Sequence, residues 1–183
     1  MMRKINHMKV PELKKNLKAF DQKELVSVIT DLYKLNSDVK DYLTMKFTGE
    51  ATTMELFERA KKDVRDEFFP DKGFGKTRLA QAKKAITNFK KLTNDSLRIL
   101  DLMLYYVEVG TEFTNTYGDI DETFYYSMES MYMKVIAACE KDETVFKQFN
   151  DRLYAIVEDT DGMGWGFHDN LEDIYYSIGW LDK

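Results

Sequence analysis

Apolar positions recur every three or four residues through most of the chain, and that spacing predicts helices. Val10, Leu13 and Leu17 step in this way around Pro11, a residue suited to a first helical turn. Asp21 and Glu24 form a capping pair before LVSVITDLYKL, whose buried stripe is predicted at Leu25, Ile29 and Leu32, widened by Val28 and Tyr33. Ser37 is placed to cap a third helix that Gly49 ends in a left-handed conformation. Thr52 and Glu55 form the next capping pair, and Pro70 stops the helix they open near Phe69. Beyond it, Thr77 is the predicted cap of RLAQAKKAITNFKKL, with Leu79, Ala82, Ile86 and Phe89 on one face.

Thr93 or Asn94 starts the next predicted helix. Its stretch SLRILDLMLYYVEVG is apolar on most sides, so it is expected to be central and the most buried, ending at Gly118. Asp119 with Glu122, then Asp142, then Asp169 with Glu172 open the last three helices. The strand-like pieces VSVIT and YYVEV sit inside longer helical patterns and are read as helix. The expected fold is all-α: a compact bundle or short superhelix of about eight to nine helices joined as antiparallel hairpins. With 183 residues and no linker-like stretch, residues 1–183 are expected to form one domain.

Composition adds exclusions. A single cysteine, Cys139, rules out an internal disulfide framework and a multi-thiolate zinc site. His7 and His168 lie too far apart in sequence for ligand spacing, and no metal or cofactor is expected. No stretch approaches the roughly 20 apolar residues of a membrane span. The basic N-terminus lacks the apolar run of a secretory leader. A cytoplasmic protein with a reduced thiol is the expectation. Charge is uneven: residues 1–100 hold 22 Lys/Arg and 14 Asp/Glu, residues 101–183 hold 5 and 18. The halves are therefore suited to attract each other or to face different partners.

The stretch PDKGFGKT, Pro70 to Thr77, ends like a phosphate-binding loop. Pro70 stands where that loop needs its first glycine, and a helix precedes it where a strand is required. It reads as a helix connector. After it, Lys72, Lys76, Arg78, Lys83, Lys84, Lys90 and Lys91 form a basic strip with no acidic residue in the interval. Such a ridge can neutralise several phosphates, which makes nucleic acid a candidate partner. A solvated face is the plainer reading, since no base-reading motif accompanies the strip.

Two other places carry candidate chemistry. Asp101, Tyr105, Glu108 and Glu112 share one face of the central helix, with Arg98 one turn before them. Clustered carboxylates raise one another's pKa and can serve as acid and base, so Glu108 and Glu112 are catalytic candidates. The wet edge of an amphipathic helix is the plainer reading. In DTDGMGWGFHDN, glycines alternate with Met163, Trp165 and Phe167. Trp165 and Phe167 are expected to anchor this turn in the core. His168 is a third catalytic candidate, and Trp165 with Asp161 would line a pocket if the loop folds inward. The pairs Tyr105–Tyr106, Tyr125–Tyr126 and Tyr175–Tyr176 each place one ring inward and one sideways.

The segments VPELKKNLKAFDQKELVSVITDLYKLN, FFPDKGFGKTRLAQAKKAITNFKKL, YYVEVGTEFTNTYGDIDETFY and GWGFHD follow one another in an order that resembles a small family of bacterial all-helical proteins of unknown function. The resemblance implies an all-helical fold and a bacterial cytoplasmic origin, and supplies no catalytic residues. The function expected from the whole reading is a non-enzymatic protein-interaction module. The alternatives are an electrostatic nucleic-acid binder using residues 72–91, and a ligand-binding protein or enzyme with an acidic, aromatic pocket near Glu108 and His168.

Overall fold

A computed structural model describes residues 7–181. The basic residues Arg3 and Lys4 of the N-terminus lie outside them. Among the described residues there are nine α-helices and no strand: α1 (Val10–Leu17), α2 (Gln22–Leu35), α3 (Ser37–Thr48), α4 (Glu50–Phe68), α5 (Leu79–Leu92), α6 (Ser96–Tyr117), α7 (Glu122–Cys139), α8 (Glu143–Asp159) and α9 (Phe167–Tyr176). The all-α expectation holds, and VSVIT and YYVEV both lie within helices. Contacts divide the chain into two units, one ending at Gly49 and one starting at Glu50.

In the first unit, α2 opens on the expected capping box. The Asp21 carboxylate accepts from the Glu24 amide at 2.8 Å, and the Glu24 carboxylate accepts from the Asp21 amide at 2.8 Å. The single residue Asn36 joins α2 to α3, and the two helices pack against each other. Asn36, not Ser37, caps α3, because its side-chain oxygen already meets the Asp38 and Val39 amides. Gly49 ends α3 at positive φ, although its ψ of −139° lies outside the left-handed helical well. None of the three helices buries a residue. The predicted buried stripe of α2 is thus corrected: Ile29 and Leu32 are exposed, and Leu25 and Val28 only half-buried.

The second unit holds the core. Helix α6 packs against α4, α5, α7 and α8, as its nearly all-round apolar sequence predicts. Leu102, Leu104, Tyr106 and Val107 are completely buried on it. Phe68, at the end of α4, meets Tyr106, Phe113 and Phe124 edge-on, and Tyr125 stacks on Phe167 at 4.7 Å between ring centres. These edge and offset geometries suit the ring quadrupoles. Each tyrosine pair divides as predicted: Tyr106, Tyr125 and Tyr175 are buried, while Tyr126 and Tyr176 are exposed and Tyr105 is half-buried. Cys139 is buried at the end of α7, and burial pushes its thiol pKa up to about 11.

Several caps differ from expectation. Helix α4 begins at Glu50, so Thr52 lies inside it. Helix α5 begins after Arg78, which makes no side-chain cap, and Thr77 sits at φ 44° before it. Asp95 caps α6 in place of Thr93 or Asn94, and Asp121 caps α7 in place of Asp119. Helix α9 starts behind Gly166, three residues earlier than an Asp169 cap would allow.

Candidate functional site

The connector after α4 is fixed by its own backbone. The amides of Lys76 and Thr77 both donate to the Glu67 carbonyl, at 3.0 and 2.8 Å. A phosphate cradle needs free amides, and these two are spent on the preceding helix end. A Cβ on Gly75 would stand 1.9 Å from the Phe68 carbonyl oxygen, so glycine is required by close approach to α4.

The basic strip does not stay together. Arg78 forms a two-pronged pair with Glu67, at 2.7 and 3.0 Å. Arg78 and Lys84 line a groove shared with Asp63, Asp66 and Glu67 of α4. Lys83, Lys90 and Lys91 instead line a groove of about 650 Å³ with Lys134 of α7. Lys72 and Lys76 line neither groove. Helical phase accounts for part of the division: Lys83 and Lys90, seven apart, share one side of α5, and Lys84 is turned from Lys83 by about 100°. Sequence reasoning missed Lys134, which lies more than 40 positions away and has no basic neighbour in α7.

On α6 the acidic stripe is met by arginines from other helices. Arg152 of α8 grips Glu108 with two hydrogen bonds, at 2.7 and 2.9 Å, and Asp101 with a third at 2.8 Å. Arg65 of α4 grips Glu112 at 2.8 and 2.9 Å. Burial alone would lower the Arg152 pKa, but Glu108 and Asp101 hold it above its ordinary value. The Arg65 hydrogen bonds pull Glu112 below the usual carboxylate range. Glu112 is thus the opposite of a carboxyl that traps a proton. Arg98 turns away to Asp95 and Glu50. A groove of about 420 Å³ beside the stripe is lined by Glu108, Glu112, Asn115, Arg152 and Asp159.

His168 is not among the residues lining that groove. Its Nδ1 lies 3.1 Å from the Thr160 hydroxyl and 3.2 Å from the Val157 carbonyl, tying the start of α9 to the end of α8. Phe167 anchors the turn as expected, fully buried. Trp165 does not: it sits at φ 61° and is 59% exposed, and Asp161 is exposed as well. The turn is held instead by Asp119, which accepts from the Gly164 amide at 3.1 Å and from the Tyr125 hydroxyl at 2.7 Å. This is why Asp119 does not cap α7. A Cβ on Gly164 would come within 2.5 Å of that carboxylate. Among the described residues no group of His, Cys, Asp and Glu has the arrangement to hold a metal ion, and no helix is long and apolar enough to cross a membrane.

Among the described residues the chain is an all-α protein with its core in α4–α9 and an acidic stripe on α6 paired with arginines. The family model for DUF6155, a family of unknown function, matches residues 8–178, and the chain belongs to that family. No curated protein and no solved structure matches the chain.

Proposed function

We propose that the protein is a non-enzymatic protein-interaction module acting in the cytoplasm, with α1–α3 as its binding unit. One observation carries this reading: three amphipathic helices bury no residue. Leu35 and Phe47 are 82% and 81% exposed, and Val10, Leu13, Ile29 and Tyr33 are exposed with them. An apolar groove of about 390 Å³ runs between Ile29 and Tyr33 on α2 and Leu43 and Phe47 on α3. A unit of this size without a core gains little by folding alone, and a contiguous exposed apolar surface marks a place of association. The partner that fits is an amphipathic helix or helical hairpin, whose apolar face would complete a bundle with α2 and α3. The arginine-paired stripe on α6 favours this reading over an enzyme, since its carboxylates are already engaged.

Site-specific photo-crosslinking in the host tests it. A crosslinker at position 29 or 47 is expected to capture a discrete partner protein, and one at exposed position 126 is not. Crosslinks from positions 29 and 47 that stay within the same chain would overturn the proposal.

A further inference from the structure

We propose a second, separate site: the groove between α5 and α7, ringed by Lys83, Lys90, Lys91 and Lys134, binds an organic anion through its phosphate or carboxylate group while the apolar body of the ligand lies on Ile86 and Met131. The four lysines and both apolar residues line one groove of about 650 Å³, and no carboxylate lines it. Below the charged rim the groove wall is apolar, with Met103 half-buried beside Ile86 and Met131, which are 3% and 4% exposed. Lys83 is held in place, donating to the Ser127 hydroxyl at 3.0 Å, and Ser127 in turn lies 2.8 Å from the buried Tyr106 hydroxyl.

The setting makes this grouping unusual within the molecule. The chain carries a net charge of −5. Arg65, Arg78, Arg98 and Arg152 each sit in an ion pair with a carboxylate. The neighbouring face of α5 sets Arg78 and Lys84 against three acids of α4. Four ammonium groups gathered without a counter-charge repel one another, and an anion settling among them removes that repulsion. A nucleic-acid strand fits less well, because it needs a continuous track of cations and the strip divides between two grooves. An apolar floor adds nothing for a phosphate backbone, but it adds affinity for an amphiphile.

The test is calorimetric titration of the full chain with octyl phosphate at low and high salt, alongside octyl glucoside, which has the same tail and no charge. Saturable binding of octyl phosphate is expected, weakening as salt rises, with none for the glucoside. Lys90→Glu with Lys134→Glu should weaken it about tenfold or more, and Lys91→Gln less, with unchanged circular dichroism. Lys84→Glu, on the other face, should leave it unchanged. Vesicles of phosphatidylglycerol distinguish the source. Sedimentation with them, lost in the double variant, points to a lipid headgroup. Binding of octyl phosphate without vesicle binding points to a free amphiphile. The proposal is overturned if the glucoside binds as well as the phosphate, if Lys84→Glu weakens binding as much as the double variant, or if the double variant binds like the parent. It also falls if an oligothymidylate strand binds through these lysines and octyl phosphate does not.

Discussion

Helices α1–α3 and helices α4–α9 are written in the same alphabet, yet only the second set hides its apolar residues. Helix α2 has apolar positions at helical spacing, as α5 does, but Ile29 and Leu32 are exposed where Ile86 and Phe89 are buried. The difference lies in the neighbours. Helix α5 has both α4 and α6 to pack on, whereas within its unit α2 packs chiefly on α3. Amphipathic periodicity therefore reports what a helix is able to bury, not what is there to bury it.

The comparison can be broken by substitutions in each unit. Phe68→Ala should cost about 4 kcal/mol in urea unfolding, because it removes a fully buried ring from the aromatic cluster. Gly75→Ala should cost about 3 kcal/mol, since the new methyl meets the backbone of Phe68, which cannot turn aside. Alkaline pH sharpens the contrast further. Burial holds the Tyr106 phenol up at about 12, above its unfolded value, so its contribution is intact below about pH 10 and is lost as pH rises toward 12. That loss amounts to about 2–3 kcal/mol, and Tyr106→Phe should make the stability curve shallower over the same window, where Cys139 and other buried tyrosines also titrate. Arg152→Ala strands Glu108 and Asp101; at 36% side-chain exposure water screens much of the effect, leaving about 1–2 kcal/mol. Ile29→Ala should change unfolding by less than about 0.5 kcal/mol, as expected for an uncovered position. A loss as large as that of Phe68→Ala would mean that the α2 surface is covered in solution.

Much of the fold was legible because helical periodicity is local. The central, buried position of α6 followed from its apolar content, and the connector at Pro70 to Thr77 from proline and glycine chemistry. Caps were less legible wherever several oxygen acceptors stood in a row. Thr93, Asn94 and Asp95 compete for one helix start, and Asp119 and Asp121 for another. The choice at the second was made from a distance, when Gly164 and Tyr125 claimed Asp119. Charge was least legible. Arg152 meets Glu108 across 44 positions, and Lys134 shares a groove with Lys90 because α5 and α7 both pack on α6. Linear charge density suggested one basic ridge; the structure divides it between a groove that holds three acids and one lined by no carboxylate.

The lone thiol of Cys139 makes the molecule its own unfolding gauge. Shut inside and held largely protonated, it should ignore a disulfide reagent for as long as α7 stays seated. Its reaction rate at neutral pH would then count excursions that unseat α7 in the α4–α9 body.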